Sequence, residues 1–344
     1  MASNRPVFSA VSSSARQLLM LLRCISFAKK AHVRISAEGI RFSTEEGSVV
    51  EAFIFLEKAL FSSYAYHPPP PPSSQDNPPD PPTFEINLTS LLETLNIFSL
   101  SDPNATKRPG DYDNFASHRL NRHAGINAFS NHALGMTGVC TFNYDGEGSP
   151  LSIHMSESGV TTTCDLTTYE ADSAEEIPFA RDSLAIKTIM RSTYLLDAVT
   201  ELSSLTPAHL TLVASPTSRP GADMSLSAAG ALGSATVDFT ADTSSETPIL
   251  ETFYCPNKVS ASFKFGLFKH AQRAMAVATK VSLRLDEDGV LSLQFLVEVG
   301  ASSGGGGGEG GEGCAFVDFR MVPLVEGEGE LDGADAGGEG TDSD

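Results

Sequence analysis

The sequence predicts an α+β chain of two similar halves, each with two helices packed on antiparallel sheets. Three observations carry this. "VRISAEGIRF" (Val33–Phe42) and "VSLRLDEDGVLSL" (Val281–Leu293) are one phrase written near opposite ends of a 344-residue chain. Each alternates apolar with polar residues, breaks at an acid beside glycine (Glu38-Gly39, Asp288-Gly289) and resumes, as two strands joined by a turn do. The remainder alternates strand-like runs with four helical stretches, two per half, so that each half holds two strand–helix–strands units. The apolar fraction of 41% is enough for two cores of ordinary domain size.

The elements follow in order. The first helix carries Arg16 and Arg23 on one face and Leu18, Leu22 and Ile25 on the other. After the first hairpin, Phe84–Leu88 alternates as a strand. Thr89 then caps a helix bearing Leu91, Leu92, Leu95 and Phe98. Pro150–Leu166 reads as a hairpin turning at Gly159. The second half supplies a helix over Leu184–Leu202, then strands over His209–Ala214, Ala222–Ala228, Ala235–Thr240 and Ile249–Tyr254. A last helix covers Phe265–Ala276, the second copy of the phrase follows, and "CAFVDFRMV" closes the fold.

Four stretches contribute no periodic apolar residues. They are the polyproline-like His67–Pro82, the insertion Pro103–Thr137, the glycine linker Ser302–Gly313 and the acidic tail 326–344. The expected division is 1–166 (with loops 67–82 and 103–137), a connector 167–178, 179–325 (with the glycine-rich loop 302–313), and a disordered tail 326–344.

A formal charge of −20 ordinarily argues against nucleic acid, because polyanions repel. The charge is unevenly placed. The last 19 residues hold eight carboxylates and no base. Between Ala10 and Lys30 no acid occurs, and Arg16, Arg23, Lys29 and Lys30 do. Lys187 and Arg191 stand four apart in the expected third helix, as do Lys269 and Arg273 in the fourth. From Ser262 to Arg284 there are five bases and no acid. For one helix this is the ordinary solvated face. Repeated on three helices of an acidic chain, it points to nucleic acid held on one side. With a Debye length of about 8 Å, a remote acidic tail hardly weakens such a face.

Five cysteines form no CxxC pair and are odd in number, which argues against a disulfide framework or zinc site and for a reducing compartment. The run "LLMLL" is too short to span a bilayer and lacks the layout of a signal peptide, so the chain reads as soluble and intracellular. Asp286–Asp288 has the residue types of a two-metal nuclease, but it sits at a turn before Gly289 without a second acidic cluster. Gly304–Gly308 lacks the Lys-Ser/Thr of a phosphate loop. His118, His123 and His132 fall in the insertion, and Cys24 reads as core. No catalytic residue, metal ligand or cofactor is assigned.

"FEINLTSLLETLNIF", "SPLSIHMSESGVTTTCDL", "TKVSLRLDEDGVLSLQFLVEV" and "CAFVDFRMVPL" carry a resemblance to the DNA sliding clamps. It is closest to the Rad-one (Rec-one) subunits of the heterotrimeric checkpoint clamp, the nine-one-one ring. The resemblance implies two clamp domains and a three-subunit ring whose helices line a central hole. Both copies of the repeated phrase would then be hairpins that follow hole-lining helices. It implies encircled double-stranded DNA bound without regard to sequence, facing Arg16, Arg23, Lys29, Lys30, Lys187, Arg191, Lys269 and Arg273. Implied partners are Rad-nine-type and Hus-one-type subunits, an ATP-dependent clamp loader, and checkpoint and repair clients, in the nucleus. Edge strands carrying Val160, Thr162, Cys164, Leu166, Met224 and Leu226 would pair between subunits. Ile177 and Pro178 of the connector, with Val322 and Pro323, would dock clients. The expected function is therefore a non-enzymatic checkpoint clamp subunit. The alternatives are a homotrimeric replicative clamp, similar to proliferating cell nuclear antigen, and a metal-dependent DNA exonuclease.

Overall fold

A computed structural model describes residues 5–68, 80–97, 139–157, 160–171, 176–216, 223–241, 248–299 and 313–325. The insertion 103–137 with its three histidines, the acidic tail, and most of the proline and glycine runs lie outside the described residues.

Four strand–helix–strands units follow one another. The first is β1 (Phe8–Ser12), α1 (Ala15–Arg23), β2 (Lys30–Ile35), β3 (Gly39–Glu46) and β4 (Val50–Glu57), with β5 (Ser63–Tyr66) after it. The second is β6 (Thr83–Asn87), α2 (Leu88–Asn96), β7 (Val139–Tyr144), β8 (Leu151–Glu157) and β9 (Val160–Leu166), followed by the short β10 (Tyr169–Glu170). The third is β11 (Leu184–Arg191), α3 (Ser192–Ser203), β12 (His209–Ala214), β13 (Met224–Gly230) and β14 (Gly233–Phe239), followed by β15 (Leu250–Tyr254). The fourth is β16 (Val259–Lys264), α4 (Phe265–Val277), β17 (Lys280–Asp286), β18 (Leu291–Val299) and β19 (Gly313–Met321).

Within each half the opening strand of one unit joins the meander of the other. β1 pairs with β7 and β6 with β2, and likewise β16 pairs with β12 and β11 with β17. The result is a five-stranded sheet (β5-β1-β7-β8-β9), a four-stranded sheet (β14-β13-β12-β16) and a ten-stranded sheet (β10-β6-β2-β3-β4-β19-β18-β17-β11-β15). The two halves meet in the ten-stranded sheet, where β4 pairs antiparallel with β19 through Ile54↔Val317 and Val50↔Met321. The repeated hairpins β2–β3 and β17–β18 lie symmetrically about this seam. Their glycines answer different needs: Gly289 takes φ +82, whereas a Cβ on Gly39 would lie 2.3 Å from the Leu56 carbonyl oxygen of β4.

Ser14 caps α1 by accepting the Gln17 N–H at 3.2 Å. Asn87, rather than the expected Thr89, caps α2 by accepting the Ser90 N–H at 3.0 Å, so the helix begins at Leu88. The helix pairs, α1 with α2 and α3 with α4, pack against the small sheets as well as the ten-stranded one: α2 meets β2, β6 and β9, α3 meets β11, β13, β14 and β17, and α4 meets β12, β16, β18 and β19. The pairs meet where Arg273 Nη1 donates to Ser26 Oγ at 3.0 Å and the Phe27 and His270 rings lie 4.8 Å apart. The helices thus form a row, α2-α1-α4-α3. Phe8, Phe42, Phe142, Phe263, Phe268, Phe295 and Phe319 are fully buried members of one continuous core.

The expected helix over Leu184–Leu202 divides into two elements. Leu184–Arg191 is strand β11, and only Ser192–Ser203 is helical. Ile186, Thr188 and Met190 are buried while Lys187 and Arg191 are exposed, a period of two. Residues four apart share a face in a strand as well as in a helix, so the Lys187/Arg191 spacing did not distinguish them.

Candidate functional site

The helix row presents its charge unevenly. α1 turns Arg16 and Arg23 away from the core, and α4 turns out Lys269, His270 and Arg273. The flanking helices carry acids instead: Glu93 on α2, Asp197 and Glu201 on α3, with no base on either. Positive charge is therefore concentrated at the middle of the row, where the two halves meet. Arg23 Nη2 donates to Asn96 Oδ1 at 3.3 Å, and Lys269 Nζ lies 5.7 Å from the Phe265 ring centre. Cys24 is buried beneath this surface, and burial pushes its thiol up to about 12, against the opposing pull of Arg273. It is a core residue, as its surroundings require.

Of the other bases expected on this face, Lys30, Lys187 and Arg191 lie elsewhere. Lys29 follows α1 in an exposed loop. Lys30 opens β2, where the alternation places it with His32 and Arg34 on the face away from the helices. There its Nζ is 2.9 Å from Glu85 Oε2. Lys187 and Arg191 project from β11 on that same outer face. These three residues do not join the helix surface, because strand alternation turns them from it.

The two small sheets end in β5 and β9 and in β14 and β16, and among the described residues no further strand pairs with β9 or β14. Their burial alternates in the same way, and both hold Thr-x-Asp at equivalent steps, Thr163–Asp165 and Thr236–Asp238. Thr162, Cys164 and Leu166 face inward from β9, and Val160 at its start is 58% exposed. Met224 and Leu226 are not on an edge. They belong to the interior strand β13, paired on both sides, and are 0% and 1% exposed. The tight Gly230–Gly233 turn folds β14 along β13 and makes β14 the edge; that glycine pair was the available signal.

The connector enters the outer face of the ten-stranded sheet through a charge network. Glu51 Oε2 accepts the Ile177 N–H at 3.2 Å, and Arg320 donates to the Ile177 carbonyl at 2.7 Å. Arg41 bonds Glu176 at 2.5 Å, and Arg41 and Arg320 lie against Phe53 with 4.3 and 5.1 Å to its ring centre. Burial raises the Glu51 carboxyl despite Arg320 beside it. Glu176 is lowered: burial opposes this, and the hydrogen bonds and charges of Arg41 and Arg320 outweigh it. Ile177 is itself only 6% exposed, so its side chain serves the anchor more than an outside ligand. Pro178 is exposed, and Val322 and Pro323 are half-buried, with Pro323 against Gly289.

Asp286 completes the anchor. It is 2% exposed, and its two oxygens accept the N–H groups of Ala180 (3.0 Å) and Val290 (2.8 Å). Both oxygens are engaged in joining the connector's end to the β17–β18 turn. Among the described residues no three His, Cys, Asp or Glu side chains gather as a metal site would need. No helix among them is long and apolar enough to cross a membrane.

Four strand–helix–strands units, interlocked in pairs and joined edge to edge, define a PCNA-like clamp fold. The chain belongs to the repair protein Rad1/Rec1/Rad17 family, whose model matches residues 7–297. It is 29% identical to the DNA damage checkpoint control protein rad1 of Schizosaccharomyces pombe, over 92% of this chain and 87% of that protein. It is 27% identical to the human cell cycle checkpoint protein RAD1, over 93% of each. A more distant relative, 24% identical over 53% of this chain and 47% of its own length, is the DNA repair exonuclease REC1 of Mycosarcoma maydis. The expectation of a checkpoint clamp subunit agrees with this membership.

Proposed function

We propose that this chain is a non-catalytic subunit of a nuclear, heterotrimeric checkpoint clamp that encircles duplex DNA and carries signalling and repair proteins. The observation that carries the reading is the pair of strands β9 and β14, each at an end of its own sheet with no further strand paired to it among the described residues. Uncovered edges invite pairing with another chain. Two different edges on one chain make a heterologous contact, which closes into a ring when the rotation allows. Between them lies the helix row, with Arg16, Arg23, Lys269 and Arg273 at its centre as the duplex-facing bases. Partners of the Rad-nine and Hus-one types would cover the edges, an ATP-dependent loader would open the ring, and clients would dock beside Pro178, Val322 and Pro323.

An exonuclease reading would rest on Asp286 and its neighbours. The engagement of both Asp286 oxygens by backbone N–H groups favours a structural role instead. Coexpression with the two candidate partners, followed by measurement of mass in solution, tests the clamp. A 1:1:1 complex is expected, with the chain alone monomeric; a stable homotrimer would turn the reading toward a replicative clamp.

A further inference from the structure

The outer face of β11 and β17 carries an arrangement that the clamp reading does not use. Lys187 stands directly opposite Arg284, and Arg191 directly opposite Lys280. Like charges facing each other across a ladder are destabilising. Two of the four are compensated: Lys280 Nζ lies 2.6 Å from Glu251, and Arg284 Nη2 lies 3.8 Å from Asp318. Arg284 also feels the exposed Arg181 nearby. Lys187 and Arg191 are exposed and make no ion pair among the described residues. An anionic occupant would relieve the two exposed bases, Lys187 and Arg191; Arg284 is already covered by the Phe179 ring, whose centre lies 5.6 Å from its guanidinium carbon.

We propose that this cationic block on the outer sheet face is the docking site of the chain's own acidic segment Glu326–Asp344. Charge complementarity is the first argument: the segment holds eight carboxylates and no base. Position is the second. The described chain ends at Val325, where Pro323 packs against Gly289 of the β17–β18 turn and the Leu324 N–H donates to the Ser262 carbonyl of β16 at 2.7 Å. Arg284 is two strand residues from Asp286 at that turn, roughly 7 Å along β17. The 19 residues that follow Val325 can span up to about 60 Å when extended, enough to pass both opposed pairs. Duplex DNA is the competing anion, and it would have to bind on the face away from the helix row.

Zero-length carbodiimide coupling of the full chain, followed by peptide mapping, tests the proposal. Intramolecular amide links from Lys187 to tail carboxylates are expected, and they should vanish at high salt. Cleavage of the tail by a glutamate-specific protease should be about tenfold faster in the K187E/R191E chain, because the acidic segment then meets like charge. Both side chains are exposed, and an acid opposite Arg284 or Lys280 forms a favourable pair, so this variant keeps its melting point. Should it misfold, the neutral K187Q/R191Q chain supplies the same comparison with a smaller increase. Links only to lysines other than Lys187 and Lys280, or equal cleavage of variant and wild type, would overturn the proposal. A K187E/R191E chain that loses affinity for a labelled duplex while its tail stays equally protected would assign the face to nucleic acid.

Discussion

Asp286 shows how far one carboxylate's role depends on what meets it. In the sequence it is the first of three acids before a glycine, a pattern shared by turns and metal sites. In the fold its oxygens satisfy two backbone donors, one buried, at the junction of connector and hairpin. Asp286→Ala leaves both donors without their acceptor, and a loss of about 3 kcal/mol in unfolding free energy is expected from denaturant titration. Asp288→Ala, at an exposed turn position, should change it by less than about 0.5 kcal/mol. If the two substitutions cost the same, Asp286 is not the staple described. The Asp-x-Asp-Gly spacing was legible beforehand; the partner N–H of Ala180, 106 residues away, was not.

Among the elements, β9 and β14 are those on which the proposed assembly rests. Successive residues of an antiparallel strand direct their N–H groups to opposite neighbours. Of Thr162→Pro and Thr163→Pro, one therefore removes a donor aimed at β8 and the other a donor aimed away from the sheet. The first should lower the melting point of the isolated chain. The second should leave the unfolding free energy within about 0.5 kcal/mol of wild type yet abolish comigration with the partner subunits in sizing. Assembly by both variants would mean that β9 is not an assembly edge. Strand existence was readable from alternation in β9, β12 and β14. Strand order was not: nothing local distinguishes Met224–Gly230 from Gly233–Phe239, and only their neighbours make one interior and the other an edge.

Across the whole molecule, the β4–β19 seam brings α1 and α4 together and so gathers four bases from the two ends of the chain. If this surface faces duplex DNA, its individual contacts are weak and screened by salt, and they act jointly. Reversing Arg16, Arg23, Lys269 and Arg273 together to Glu should leave the trimer formed but remove loading onto nicked circular DNA. Reversing Lys187 and Arg191 should leave loading unchanged, because those residues lie on the opposite sheet face. Loading by the four-fold variant at wild-type level would show that the helix row does not meet DNA.

The duplication, the α+β class, the acid–glycine turns and the helical origin of Arg16, Arg23, Lys269 and Arg273 were legible in the order of residues. All of these are written in short-range periodicity, which a chain of alternating or 3.6-spaced side chains expresses without reference to its partners. Folding placed Lys187 and Arg191 off the helix surface, made β14 rather than β13 the last strand of its sheet, and brought Glu51 and Arg320 to Ile177. The physical reason is common to all three. A spacing of four suits both periods, an edge exists only relative to a neighbouring strand, and an ion network joins residues brought together by sheet order rather than by sequence.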